Sequence, residues 1–327
     1  MSYQPPFMVT PRIIDLVGKI SEAVGRLSVC AESDQALRLR RINRIRTIHG
    51  SLAIEGNTLS EEQITAILEG KHVIAPPREI QEVKNAIIAY DGLDEWNPEV
   101  ESDLLEAHHV LMAGLIDQPG MYRNGGVGVM DKGKEVIHMA PPAARVAGLM
   151  GDLFHWVKIS EHHPLITSSV FHYEFEFIHP FGDGNGRMGR LWQTLILKQW
   201  NALFSDMPVE SMIYEHQEAY YLALQESTEK SNSAYFITFM LEMIANTIST
   251  TPQVAPQVTP QVRSLLDIIN GEMSRAEIQH ALGLRDRKSF RERYLQPALQ
   301  AGVIEMIIPD KPNSRLQKYR LSDKGKH

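Results

Sequence analysis

Twelve consecutive residues, His179-Pro180-Phe181-Gly182-Asp183-Gly184-Asn185-Gly186-Arg187-Met188-Gly189-Arg190, hold an imidazole, a carboxylate, four glycines and two guanidinium groups. Glycines at 182, 184 and 186 let backbone N–H groups converge, and a glycine-rich turn opening a helix favours an anion, usually phosphate. Asp183 adds a hard carboxylate, suited to Mg²⁺ that shares its shell with substrate phosphates. Arg187 and Arg190 lie three apart, on neighbouring helical turns, and guanidinium forks grip phosphate oxygens in pairs. His179 is the loop's candidate for taking a proton near neutral pH. A base, a metal carboxylate, an anion cradle and two arginines together describe phosphoryl or nucleotidyl transfer. A glycine-rich loop with a capping aspartate and surface arginines would account for any one of these features, but not for all of them in one short stretch.

Such groups need rigid supports. Ile166, Val170, Phe171, Phe175 and Ile178 recur at helical spacing and predict a helix ending at Pro180. Met188, Leu191, Trp192, Leu195 and Ile196 predict a buried helical face on the other side of the loop. Leu39, Ile42, Ile45, Ile48 and Leu52 form another stripe, stopped at Gly56-Asn57. Ser60 with Gln63 reads as a capping box for the next helix. The first 250 residues are therefore expected to be mostly helical. The clear strand signal is Val127 to Val129 and Val136 to Met139 around Asp131–Lys134, a hairpin closed by Pro141-Pro142.

The loop resembles the Fic family signature, His-Pro-Phe-x-Asp/Glu-Gly-Asn-Gly-Arg-x-x-Arg, at every specified position. His172 and Phe175 to Ile178 resemble the family's helix leading into the signature. The hairpin resembles its target-docking flap, and Tyr220-Tyr221 the paired tyrosines of its nucleotide pocket. The resemblance covers about residues 40–240. It implies a mostly α fold: a Fic-type helical core with a small β-hairpin flap. It also implies transfer of AMP from ATP to a Tyr, Thr or Ser hydroxyl of a protein target, this chain included. His179 would deprotonate the hydroxyl, and Asp183 would hold Mg²⁺ (or Mn²⁺). Gly184, Asn185, Gly186, Arg187, Met188, Gly189 and Arg190 would cradle and orient the phosphates. Val136, Ile137, His138 and Met139 would pair with an extended target segment. Tyr220, Tyr221 and Leu224 would border the adenine, with Thr228 where some relatives carry Asn. Gly184 and Gly186 favour the adenylylating branch over the kinase-like branch, which has Ala and Lys there.

Ser51-Leu52-Ala53-Ile54-Glu55-Gly56-Asn57 places Ser51 and Glu55 on one helical face. It resembles the family's inhibitory motif, Ser/Thr-x-x-x-Glu-Gly/Asn. The implied role is competition: Glu55 pairs with Arg190 and takes the space the γ-phosphate needs. In some relatives the same glutamate supports metal-dependent removal of AMP, so an enzyme that mainly removes AMP stays open.

The chain has 327 residues, a net charge of −7 and a single cysteine, Cys30, which excludes an intrachain disulfide. No apolar run is long enough for a membrane span, and no secretory signal is visible, so a cytoplasmic location is expected. Charge is uneven: residues 261–327 carry +5 and residues 1–260 carry −12. Pro-Gln-Val repeats at 252, 256 and 260 read as an extended spacer. The expected organisation is a regulatory helical segment at 1–100, a catalytic core at 101–248, a linker at 249–261 and a tail domain at 262–327. In the tail, three helical patterns (from Val262, from Ser274 and from Arg285 to Leu299, bent near Pro297) precede two strands at 303–308 and 316–321. This resembles a winged helix-turn-helix with Arg287, Lys288, Arg291 and Arg293 exposed. It leaves open a DNA-binding regulator with a nucleotide-sensing core, a protein-docking module or a homodimer arm. The pairs His108-His109 and His162-His163 read as surface histidines, and Met207, Met212, Met240, Met243, Trp192 and Trp200 as core.

Overall fold

The computed structural model describes residues 3–28, 34–126, 128–130, 136–250, 260–284, 286–300, 302–309, 314 and 316–322. The chain falls into two units, Met1–Gln253 and Val254–His327. Cys30, the turn at 131–134, the Pro-Gln-Val stretch at 251–259 and the turn at 310–313 lie outside the described residues.

The first unit begins with α1 (Pro11–Ser28), α2 (Asp34–Ile54), α3 (Glu61–Leu68), α4 (Pro77–Asp91) and α5 (Glu101–Met112). A hairpin follows, β1 (Gly128–Met130) and β2 (Val136–Met139), then α6 (Ala143–Ile159), α7 (Pro164–Ile178) and α8 (Asn185–Trp200). The unit closes with α9 (Val209–Glu215), α10 (Gln217–Glu229) and α11 (Ala234–Thr250). α7 and α8 pack on each other at the centre, with α6 and α11 against α7, α5 against α8, and α2 against α8 and α9. Residues 1–100 and 101–248 thus contribute to one hydrophobic core. All five apolar positions read on α7 are buried, as are all five on α8. α7 is buried nearly all round, so its polar groups need internal partners. Ser168 and Ser169 donate to the Leu165 carbonyl, and Glu174 accepts from the Tyr3 hydroxyl at 2.5 Å. The N-terminal strap that carries Tyr3 is held again where Ser233 N–H donates to the Pro6 carbonyl.

Local signals set the element ends. Ser60 and Gln63 form the capping box of α3. α2 stops in a Schellman turn: Gly56 N–H donates to Ala53 and Asn57 N–H to Leu52, with Gly56 at φ +93°. The predicted α2 stripe is narrower than expected, because Ile45, Ile48 and Leu52 are buried while Ile42 is 45% exposed. Val127 lies outside the described residues; from Gly128 the pairing is antiparallel with a register shift between Val129 and Met130. Met207, Met240, Met243 and Trp192 are buried; Met212 and Trp200 are half-buried.

The second unit has its own core, built on Val262, Leu265, Ile278, Phe290, Leu295 and Tyr319. Its order is α12 (Pro260–Ile268), β3 (Met273–Ser274), α13 (Arg275–Ala281), α14 (Arg287–Phe290), α15 (Gln296–Gln300), β4 (Ile304–Met306) and β5 (Lys318–Leu321). The sheet order is β3-β5-β4, antiparallel throughout, with β4 and β5 falling within the two strands expected at 303–308 and 316–321. Two features differ from expectation. β3 was not legible, being two residues long. The third helix is interrupted by a π-helical turn at Arg291–Leu295, where Gln296 N–H donates to the Arg291 carbonyl. Pro297 explains the widening, since it has no N–H for the Arg293 carbonyl and its ring crowds the preceding turn.

Candidate active site

The loop between α7 and α8 is folded by its own side chains. The Asn185 amide bridges Phe181 in both directions, accepting from its N–H and donating to its carbonyl, each at 2.9 Å. Asp183 Oδ1 accepts from Gly184 N–H at 2.7 Å. Gly184 has φ +84°, and a Cβ there would lie 2.6 Å from Met112 Sδ, so both conformation and space require glycine. At Gly189 a Cβ would meet His172 and Glu176 at 2.8 Å, which lets α7 and α8 approach closely. Met188 is buried beneath the loop. His179 caps α7 in the left-handed region, φ 50° and ψ 62°, and is half-buried.

Both arginines of the loop are held by carboxylates. Arg187 pairs with Asp183 at 3.2 Å and with Glu82 of α4 at 3.5 Å. Arg190 pairs with Glu55 at 2.7 Å, and it donates to the Ser51 carbonyl at 2.9 Å and hydroxyl at 3.3 Å. The Arg190 side chain is only 1% exposed and that of Glu55 is 35% exposed. Burial opposes the Arg190 charge, but Glu55, Tyr220 and Glu176 outweigh it and raise its pKa. The Glu55 carboxylate also lies over Gly186, where a Cβ would collide with it. Gly186 is the second residue of α8, so an anion already rests on the N-terminus of that helix. Ser51 and Glu55 thus meet Arg190 at the end of α2, Gly56 closes that helix, and Gln217 of α10 caps the same end by donating to the Ile54 carbonyl at 2.8 Å.

Asp183 is half-exposed and is shared by Arg187 and by Arg78, whose Nη2 lies 3.1 Å away. One accessible carboxylate suits Mg²⁺ when phosphates and water complete the shell. Among the described residues no group of three or more His, Cys, Asp or Glu side chains forms a protein cage.

β2 lies beside α10, and Met139 is 68% exposed. Tyr221 and Leu224 are half-buried, but Tyr220 is buried and its hydroxyl bonds His172 Nε2 at 3.1 Å. His172 Nδ1 donates to Gln193 Oε1 at 2.6 Å, so Nε2 accepts from Tyr220. Burial lowers the His172 pKa to about 3, which keeps the ring neutral. Tyr220 is therefore enclosed, and Tyr221 is the more accessible ring. The Thr228 hydroxyl donates to the Leu224 carbonyl at 3.0 Å and lies 3.2 Å from the Tyr173 hydroxyl.

Two supports escaped the sequence reading. His108 is fully buried, not a surface residue; its Nδ1 accepts from Gly120 N–H at 2.8 Å and its Nε2 donates to the Asp183 carbonyl at 3.0 Å. Its ring stacks on Phe181 at 3.6 Å, and burial lowers its pKa to about 4. The signal was present, since Leu104, Ala107, His108 and Leu111 share one apolar face. His163 is likewise half-buried and caps α7. The other support is Arg123, 8% exposed, which contacts the His179 carbonyl; nothing in its local sequence announces this.

Comparison with known proteins agrees with this geometry. The Fic/DOC family model matches residues 96–197, and the model for the C-terminal domain of Filamentation induced by cAMP protein Fic-like matches residues 260–322. Two proteins named protein adenylyltransferase Fic are similar. The one from Aedes aegypti is 27% identical over 239 residues, 68% of this chain and 45% of that protein. The one from Drosophila virilis is 31% identical over 193 residues, 54% of this chain and 38% of that protein. The chain spans less than half the length of these two relatives. The crystal structure of a Fic family protein from Desulfovibrio desulfuricans G20 is 50% identical, covering 99% of this chain and 100% of that one with a TM-score of 0.75. With half of its residues matched from end to end by that protein, this chain belongs to the Fic family.

Proposed function

We propose that the chain is a protein adenylyltransferase restrained by Glu55. The observation that carries this reading is the carboxylate seated where the loop would hold phosphate, 2.7 Å from Arg190 and against Gly186. In this reading His179 takes the proton of a Tyr, Thr or Ser hydroxyl on the target. The freed oxygen attacks the α-phosphorus of ATP, the bond from that phosphorus to the bridging oxygen breaks, and pyrophosphate leaves. Asp183 would hold Mg²⁺ or Mn²⁺, whose charge, when bound, offsets that of the α- and β-phosphates. Arg187 and Arg190 orient the outer phosphates once they exchange carboxylates for them. The hairpin edge at Val136–Met139 aligns the target by strand pairing. The adenylyltransferase names of two relatives support the reaction class.

The test is incubation with labelled ATP and Mg²⁺. Glu55→Gly is expected to raise self-labelling at least about tenfold, the scale on which small misplacements of reacting atoms affect rate, and His179→Ala added to it should remove the label. Unchanged labelling in Glu55→Gly would end the restraint. The same carboxylate is a third exposed, and in an AMP-removing enzyme it would hold the attacking water. Removal of AMP is therefore the second reading, and loss of label from a modified target that requires Glu55 would favour it.

For the tail we propose duplex DNA as the partner. Arg275, His280, Lys288 and Arg291 line a cleft of about 970 Å³ on its helical side. A gel shift that weakens as salt rises supports this, and no shift at low salt removes it.

A further inference from the structure

Arg123 makes an unusual set of contacts. Its backbone N–H donates to the Pro180 carbonyl at 2.9 Å. Its guanidinium donates from Nε to the His179 carbonyl at 2.7 Å and from Nη2 to the Ile178 carbonyl at 3.2 Å. Three successive carbonyls at the end of α7 are therefore bound by one residue. These carbonyls lie at and just past the negative end of α7, where a cation is favoured and where intrahelical partners run out. The remaining donors reach elsewhere: Nη1 to the Gly125 carbonyl at 2.8 Å and Nη2 to the Pro141 carbonyl at 2.6 Å. Gly125 and Pro141 are the two feet of the hairpin, just before β1 and just after β2. One buried fork thus ties both feet of the flap to the residue that carries the imidazole.

The backbone at His179 makes this tie matter. His179 and Ser231 are the two non-glycine residues with positive φ among the described residues. A non-glycine residue in that region costs about 1–3 kcal/mol and persists only where its surroundings over-determine it. The carbonyl of the strained residue is the one Arg123 Nε holds. The phosphate cradle, by contrast, is braced by other groups: Asn185 on Phe181, and His108 on Asp183.

We propose that Arg123 is a positioning residue. It sets the direction of the His179 imidazole and couples that direction to the seating of the flap, while leaving the nucleotide cradle alone. The inference rests on the transfer reading above. It separates chemistry from nucleotide binding, which a merely structural arginine would not do.

The experiment compares Glu55→Gly with Glu55→Gly carrying Arg123→Lys or Arg123→Ala. Self-labelling rate, affinity for ATP by calorimetry and melting temperature are measured in each. Lysine keeps the charge but offers a point donor in place of the fork. Arg123→Lys is expected to slow labelling about 10- to 100-fold, the scale of an ångström-level misplacement of a reacting group. Its ATP affinity should stay within about twofold of the parent, because the cradle contacts remain. Methylguanidinium should restore part of the rate to Arg123→Ala. An unchanged rate in Arg123→Lys overturns the proposal. So do rate and ATP affinity falling by the same factor, or loss of cooperative melting in both variants, because each assigns Arg123 to the fold alone. Silence of Glu55→Gly by itself removes the transfer reading, and this inference with it.

Discussion

Arg190 is a buried cation held by an ion pair with Glu55 and by the two Ser51 oxygens. Taking that partner away leaves a charge-bearing donor unsatisfied, which costs about 1–3 kcal/mol when no water or anion replaces it. Glu55→Gly should therefore melt below the parent without ligand and recover when ATP or pyrophosphate is added; differential scanning measures both. Titratable groups predict a second dependence. Burial raises Glu176 to about 8 and Glu174 and Glu210 to about 7. The folded chain then keeps protons that the unfolded chain releases near 4.5, so stability falls as pH climbs from about 4.5 to 8. His108 and His172, lowered to about 4 and 3, act oppositely: below 6.5 the unfolded chain takes up protons they refuse. Above pH 6.5 the carboxyl effect stands alone. Melting temperature should drop between pH 6.5 and 8.5, and Glu210→Gln, which keeps an acceptor for Tyr90 and Thr194 but cannot titrate, should flatten the drop. At this scale the signature was legible because its members are contiguous. The burial of His108 could be read from its apolar face, but the partners of His108 and Arg123 could not, because Asp183 and His179 lie 75 and 56 positions away in the chain.

Among elements, the end of α2 governs where Glu55 stands. Its carboxylate follows the last helical turn, a position that disfavours negative charge and is offset here by Arg190. Gly56 at φ +93° closes that end. Gly56→Ala adds a Cβ with no neighbour within 4 Å, so its effect comes from backbone conformation, about 1–2 kcal/mol. The variant is expected to loosen the α2 end and label faster than the parent but slower than Glu55→Gly, in the same ATP assay. Helix positions were readable because apolar spacing survives in sequence, as on α7 and α8. The π turn ahead of Pro297 and the two-residue β3 were not, since the first depends on a local widening of the helix and the second on pairing with β5 far along the chain.

Across the whole molecule, two hydrophobic clusters share no residue, one within each unit. Scanning calorimetry should resolve two transitions, and a chain ending at Gln253 should keep the labelling activity of full-length Glu55→Gly within about twofold, as expected for independent sites. A single merged transition would show that the two cores melt as one. The opening residues deserve a different expectation from the closing ones. Tyr3 donates to one carboxyl oxygen of Glu174 in the helix capped by His179, and Pro6 is fastened by Ser233. Trimming the front of the protein would strip the partner from an acid buried in that helix, so a shortened preparation is a perturbed enzyme, and purification handles belong at the other terminus.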